Sequence, residues 1–121
     1  LIEMSNLEKT KRMYAQIVQG QLLEAFDSNY AESVIMEEPA GKREGKKACR
    51  EYEVQFINSV EAFHNLEIKA ISEDLEKSKV FIEVLMDITF KGGNRVQMEQ
   101  VAVQQWEAGQ IIYERFYYNA G

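Results

Sequence analysis

The sequence predicts an α+β fold, with helices first and a meander of long antiparallel strands after them. Two observations predict it. Apolar residues recur at helical spacing in the first half, whereas after residue 65 they alternate with a period of two. Glycine-containing turns separate the long alternating segments. With 121 residues, the chain is expected to form one domain, residues 1–121, that is long enough to bury a core.

Capping signals delimit the first helix. Ser5 and Glu8 form a capping box that starts it, and Gly20 ends it. The apolar face of this helix is formed by Leu7, Tyr14, Ile17 and Val18. A second helix is predicted over about residues 21–29, and a brief strand follows over residues 33–36.

The third helix is predicted from residue 46 to about residue 63. Its apolar stripe recurs every three or four residues and consists of Cys49, Tyr52, Phe56, Val60 and Phe63. Strands are then predicted over residues 66–72, 80–90, 96–106 and 110–119. Three N-terminal helices packed on one face of these strands predict a strongly curved antiparallel sheet, and sheet and helices together enclose a cone-shaped α+β barrel.

Charge and hydropathy disfavour two classes of partner. A net charge of −6 and a pI near 4.9 disfavour nucleic acid and anionic membranes, which need a basic surface. The basic cluster of Lys42, Arg43, Lys46 and Lys47 is interpreted as a solvated loop and helix start, with an anion site as the alternative. No signal peptide is recognised, and no apolar run reaches the ~18 residues that span a bilayer. We therefore expect a soluble, cytoplasmic protein.

The chain offers few residues for thiol or metal chemistry. Its single cysteine, Cys49, excludes an intramolecular disulfide and is interpreted as a small core residue; the alternative is a catalytic thiol paired with His64. His64 itself is interpreted as a structural cap at the end of the third helix. No cluster of side chains has the spacing of metal ligands, so we expect neither a metal nor a cofactor.

The order of three helices and a curved meander resembles the nuclear transport factor 2-like superfamily, which includes SnoaL-like polyketide cyclases and ketosteroid isomerases. The resemblance covers nearly the whole chain. Residues 105–118, with an aromatic residue, a glycine turn and an aromatic-rich last strand, are typical of SnoaL-like domains.

The N-terminal half resembles the ketosteroid isomerases more closely. Their oxyanion-donating tyrosine falls on Tyr14, and their general base before Pro-x-Gly falls on Glu38, in Glu38-Pro39-Ala40-Gly41. Tyr30 also matches a family tyrosine. The resemblance implies that Glu38 abstracts a proton beside a carbonyl and that Tyr14 donates a hydrogen bond to the enolate oxygen. An apolar wall is expected to raise the pKa of Glu38. The alternatives are an exposed loop acid for Glu38 and a core tyrosine for Tyr14.

Two departures from the isomerases are visible. The base is glutamate instead of aspartate, and the third catalytic group, a protonated aspartate, falls on Ala102. Removing one oxyanion donor costs about 10²–10³ in rate, so steroid isomerisation as such is not expected. Gln100 or Gln104 is a candidate for the missing donor.

The resemblance also implies a cavity lining, through the position of Ala102 and the family's alternation on the last strand. The expected ligand-binding residues, with three from the helical region, are Phe26, Tyr30, Phe56, Met98, Gln100, Ala102, Gln104, Trp106, Glu114, Phe116 and Tyr118. Ile112 is expected to face inward as well. For Glu114, the alternative to a ligand-facing role is an ion pair with a neighbouring arginine such as Arg95.

Three functions remain open at this stage. The first is an isomerase- or cyclase-like enzyme acting on a small hydrophobic carbonyl compound of steroid or polyketide type. The second is a module that binds such a ligand without turnover, and the third is a structural dimerisation domain with a filled cavity. The outer sheet face predicts a homodimer in all three and is formed by Glu99, Val101, Val103, Tyr113, Arg115 and Tyr117.

Overall fold

The computed structural model describes residues 3–119. Three helices and six strands occur in this range. In chain order they are α1 (Asn6–Val18), α2 (Leu22–Asn29), β1 (Tyr30–Glu38), β2 (Gly41–Glu44), α3 (Lys46–Ser59), β3 (Val60–Asp74), β4 (Lys79–Phe90), β5 (Arg95–Glu107) and β6 (Gln110–Tyr117).

All six strands belong to one sheet, in the order β2-β1-β6-β5-β4-β3. Neighbouring strands are antiparallel except β1 and β6, which run parallel. The predicted α+β class is confirmed. The sheet is open, with β2 and β3 as its edges, so the cone-shaped barrel and its strong curvature stay predictions.

The start and the end of α1 follow the predicted capping signals. The Ser5 hydroxyl accepts a hydrogen bond from the Glu8 backbone N–H at 3.1 Å. Gly20 follows the helix with φ +82°, a conformation that glycine adopts without a Cβ penalty. Val18 is the exception on the predicted apolar face: it lies in the last turn and is 56% exposed.

The region after α2 contains more strand than predicted. β1 spans nine residues instead of four, and its partner β2 was not predicted. The two strands form a tight hairpin in which Glu38 pairs with Gly41 and Met36 pairs with Arg43. The polar segment of β2 lacks the alternation that signals a strand, so only its pairing with β1 reveals it.

The boundary between α3 and β3 lies earlier than predicted. α3 ends at Ser59, and its last two predicted apolar positions, Val60 and Phe63, belong to β3 instead. They pair there with Phe90 and Ile88 of β4. The cause is the coincidence of helical spacing with the β-branched and aromatic residues that also favour strands.

A β-bulge sets the phase of β6. Gln105 pairs with Tyr113 and Trp106 pairs with Ile111, so Ile112 is skipped. Ile111 is therefore fully buried, whereas Ile112, which was predicted to face inward, is only partly buried and is not among the cavity residues.

The core lies between the sheet and the helices. α1 contacts β3 and β4, whereas α3 contacts β1, β2 and β3. Cys49 of α3 is fully buried, as expected for a small core residue. His64 does not cap a helix: it lies in β3, with its Nε2 2.7 Å from Thr89 Oγ1 on β4. Within the part of the chain that the structure describes, none of the helices combines the length and apolarity of a membrane span.

Candidate active site

A cavity of about 180 Å³ lies between the helices and the sheet. Its walls are mainly apolar and aromatic, including Met13, Tyr14, Ile17, Leu22, Ala25, Phe26, Tyr30, Phe56, Leu66, Met86, Met98, Phe116 and Tyr118. Its other wall residues are Glu38, Arg43, Tyr52, Glu53, Gln100 and Glu114. The structure thus brings together all but three of the residues predicted for the site.

The three that do not reach the cavity are Ala102, Gln104 and Trp106. They lie on the predicted inward face of β5, so the strand phase is confirmed, but all three are buried in the core. The cavity wall on β5 is formed by Met98 and Gln100. Ala102 sits between Ile82 and Phe116 on the neighbouring strands, and it has no donor to offer.

Glu38 ends β1 and lies in the cavity wall with its side chain 6% exposed. Tyr118 donates a hydrogen bond to Glu38 Oε2 at 2.6 Å, and Arg43 Nη1 lies 2.7 Å from Glu38 Oε1. The preceding carboxylate, Glu37, accepts a hydrogen bond from Tyr113 instead. Adjacent residues of an extended strand point to opposite faces, which separates the environments of these two acids.

The protonation state of Glu38 differs from the prediction. Burial alone would raise its pKa, but hydrogen bonds from Tyr118 and Tyr52 together with the Arg43 guanidinium outweigh it, and the pKa of Glu38 is lowered. The predicted rise is wrong because the wall beside Glu38 is polar. Glu38 is therefore a carboxylate at neutral pH.

The prediction that Arg43 lies in a solvated loop is wrong. Its side chain is only 17% exposed, and its Cζ lies 3.5 Å from the centre of the Tyr52 ring. Pairing of β2 with β1 turns this arginine toward the cavity wall, where it neutralises Glu38. The position of Arg43 beside Glu38 therefore depends on β2, a strand that was not predicted.

Tyr14 is buried in α1 and lines the cavity. Burial, followed by the nearby carboxyl groups of Glu114 and Glu53, raises its pKa well above the ordinary value. Its hydroxyl thus stays protonated and can donate a hydrogen bond. Within residues 3–119 no side chain or backbone group takes that hydrogen bond.

A buried hydrogen-bond network holds Glu114. Tyr30 donates to one carboxyl oxygen, and Gln104 Nε2 donates to the other at 3.0 Å. Gln104 is oriented in turn by Trp106, whose indole N–H donates to Gln104 Oε1 at 3.0 Å. Burial raises the pKa of Glu114 to about 7 even though its hydrogen bonds lower it. The alternative pairing with Arg95 is not found.

Glu53 of α3 lines the cavity, although it was not among the predicted site residues. Burial, with the nearby Glu114 as a second cause, raises its pKa to about 7. A signal for it was available: Glu53 follows Cys49 by four residues and precedes Phe56 by three, so it lies on the apolar stripe of α3. A carboxyl on such a stripe is either buried with a partner or placed for function.

The arrangement combines groups of opposite protonation state. One ionised carboxylate, Glu38, shares an apolar cavity with the neutral phenol of Tyr14 and with carboxyls that titrate near pH 7. Carboxylates accept protons from carbon acids, and neutral donors stabilise the resulting enolates. Among residues 3–119, no three His, Cys, Asp or Glu side chains converge as a metal site would require.

Comparison with known proteins agrees with this fold. A family model described as the SnoaL-like domain matches residues 4–118. A protein from Mesorhizobium loti, provisionally assigned as a SnoaL-like polyketide cyclase, superimposes with a TM-score of 0.81 at 24% identity, covering 95% of this chain and 100% of that one. A provisionally assigned polyketide cyclase from Pseudomonas putida gives 0.82 at 19% identity, covering 98% and 94%.

A third structure is an NTF2-like protein of unknown function from Burkholderia pseudomallei, with a TM-score of 0.83 at 13% identity and coverage of 97% and 92%. At such low identities these structures establish the fold alone. The search of curated proteins gave no match.

Proposed function

The chain belongs to the SnoaL-like domain family, and from this premise we propose that its cavity catalyses proton abstraction beside the carbonyl group of a small hydrophobic compound. The observation that carries the proposal is that an ionised Glu38 and a protonated Tyr14 line one mainly apolar cavity. The reaction class is that of an isomerase or a cyclase.

In the proposed mechanism, a Glu38 carboxylate oxygen takes a proton from the carbon next to the carbonyl. The electrons of that C–H bond form an enolate, whose oxygen accepts a hydrogen bond from the Tyr14 hydroxyl. Return of the proton from Glu38 to a different carbon gives an isomer. Attack of the enolate carbon on a second carbonyl gives a cyclised product.

Cavity size narrows the substrate class. A volume of about 180 Å³ is close to that of an engineered cavity of about 150 Å³ that binds benzene. Pockets for drug-sized ligands are larger, about 300–1,000 Å³. We therefore propose a single-ring carbonyl compound as the substrate, in place of the steroid that the resemblance alone suggests.

Exchange of carbon-bound protons tests the abstraction step without knowledge of the product. In D₂O, the wild-type protein is expected to accelerate deuterium incorporation beside the carbonyl of cyclohexanone, followed by NMR. Glu38→Gln removes the base and should lower the rate at least about 100-fold. Glu37→Gln, which changes the neighbouring acid bonded to Tyr113, is the matched control and should leave the rate unchanged. Equal rates for wild type and Glu38→Gln would contradict the proposal.

A second candidate is a module that binds the same compound without turnover. The observation in its favour is the close pairing of Glu38 with Arg43 and Tyr118, which lowers the basicity of the carboxylate. The two candidates differ in one result. Cyclohexanone that binds, as judged by ligand-observed NMR, while wild-type exchange stays at the background rate would favour the binding module.

A further inference from the structure

Glu53 differs from the other glutamates of the site in having no hydrogen-bond partner. Glu38 and Glu114 each accept a hydrogen bond from a tyrosine hydroxyl. Within residues 3–119 no group hydrogen-bonds to the Glu53 carboxyl, although its side chain lines the cavity. A carboxyl that lines a cavity without a hydrogen-bond partner is free to bond a ligand.

We propose that Glu53, in its neutral form, is a second catalytic hydrogen-bond donor to the enolate oxygen, beside Tyr14. This inference rests on the proposed function and deepens it. It supplies the donor that Ala102 cannot provide, from α3 instead of β5.

The surroundings of Glu53 keep it neutral below about pH 7. Burial is the largest cause of the raised pKa of Glu53. The nearby Glu114 and Glu38 raise this pKa further, whereas the positive charge of Arg43 lowers it. The other titratable groups that interact with Glu53 are Tyr14, Tyr30, Cys49 and Tyr52. Because Glu53 contributes to the raised pKa of Tyr14, the two proposed donors lie within electrostatic reach of each other.

A weak base makes the second donor necessary. The lowered pKa of Glu38 reduces its affinity for the proton it takes from carbon, so the enolate requires strong stabilisation. The amide of Gln104 is already bonded to Glu114 and Trp106. Gln100 lines the cavity and is the remaining rival for the role.

The test compares Glu53→Gln, which keeps a donor at every pH, with Glu53→Leu, which has none. The rate of deuterium exchange into cyclohexanone is measured between pH 5 and 9. Wild-type exchange should fall about tenfold per pH unit above pH 7, as Glu53 ionises. Glu53→Gln should lose that decline, and Glu53→Leu should be about 100-fold slower at pH 6.

Matched variants separate this role from a structural one. Glu51→Gln changes an exposed carboxyl on the same helix and should keep the wild-type profile. Gln100 lines the cavity but does not ionise, so Gln100→Leu should keep the decline of the rate above pH 7, whatever its rate at pH 6. Circular dichroism and unfolding midpoints show whether Glu53→Leu folds; if it does not, Glu53→Gln alone decides through its pH profile.

Binding of 4-nitrophenol, an analogue of the enolate, provides a readout independent of turnover. The wild-type protein should bind the phenolate form of 4-nitrophenol more weakly above pH 7. Glu53→Gln should not lose affinity for the phenolate in this range. A Glu53→Gln rate as low as that of Glu53→Leu, or a Gln100→Leu variant that loses the decline above pH 7, would overturn the proposal. If wild type shows no exchange, the proposed function fails, and the nitrophenol pattern then supports or overturns the donor role of Glu53 by itself.

Discussion

Four glutamates of this protein differ in ionisation and hydrogen bonding because their surroundings differ. Arg43 and tyrosine hydroxyls keep Glu38 ionised, and burial without a partner keeps Glu53 neutral below about pH 7. Glu114 has two donors yet is so deeply buried that its pKa is also raised to about 7. Glu37 serves the opposite face, where it bonds Tyr113. Pairs of carboxyls with separated pKa values are what an acid–base site requires.

The raised pKa of Glu114 predicts a pH-dependent stability. Its folded pKa of about 7 lies above the ordinary value of 4.5, so between these values the folded state binds more protons than the unfolded state. The contribution is complete below pH 4.5 and is lost as pH rises through 7, at about 1.4 kcal/mol per unit of pKa difference. Unfolding free energies from urea titrations should therefore fall from pH 4.5 to 7.5.

Glu114→Gln should make that decline of the unfolding free energy with pH shallower, because it removes one of the two carboxyls whose pKa is raised. Glu53 contributes with the same sign, so part of the decline should remain. Glu51→Gln, on the exposed side of α3, should leave the slope as in wild type. A slope in Glu114→Gln identical to that of wild type would show that this carboxyl does not carry the effect.

At the scale of residues, the sequence predicted positions better than chemistry. The position of Glu38 in the cavity followed from the resemblance of Glu38-Pro39-Ala40-Gly41 to the isomerase motif. Its lowered pKa did not, because the causes are hydrogen bonds from Tyr118 and Tyr52 together with Arg43, which lies on a strand with no sequence pattern. The buried position of Gln104 depends on hydrogen bonds to residues that are distant in the sequence. A local sequence pattern does not predict such bonds.

At the scale of elements, the site depends on the short link between β2 and α3. Gly45 connects them with φ +89°, and its N–H donates to the Val34 carbonyl at 2.8 Å. The link joins β2, which carries Arg43, to α3, which carries Glu53, and so positions both residues. A left-handed residue at this position suits glycine because it has no Cβ.

Gly45 has φ +89° and ψ 147°, a conformation essentially confined to glycine, so Gly45→Ala is expected to destabilise the protein by about 1–3 kcal/mol. A Cβ at this position would meet no atom within 4 Å, so the cost comes from the backbone and not from a clash. Gly93→Ala is the control, since Gly93 has neither a left-handed φ nor a close neighbour. Urea unfolding should give Gly93→Ala a stability within about 0.5 kcal/mol of wild type. Equal stability of both variants would contradict this account of the link.

Element boundaries were predictable where a capping or turn signal exists. The starts of α1, β4 and β5 agree with prediction to within a residue. The end of α3 was not, because Val60 and Phe63 continue its helical spacing while they pair with β4. The bulge that skips Ile112 arises from pairing between strands and has no local signal.

At the scale of the whole molecule, the fold was the most predictable property. The change of apolar period from helical to two fixes the α+β class, and the resemblance to SnoaL-like domains is confirmed by the match over residues 4–118. The outer sheet face leaves Tyr117 48% exposed, and the homodimer through this face stays a prediction. Cavity volume depends on packing across all three helices and all six strands, so substrate size was not accessible from the sequence.

The central claim is that one cavity holds a Glu38 that is ionised at neutral pH and a Glu53 that is neutral below about pH 7. The most direct measurement is a ¹³C NMR titration of glutamate carboxyl carbons, assigned with Glu38→Gln and Glu53→Gln. We expect the Glu38 signal to titrate below its ordinary value of 4.5 and the Glu53 signal to titrate near 7. A Glu53 that titrates near 4.5, or a Glu38 that titrates near 7, would contradict the claim.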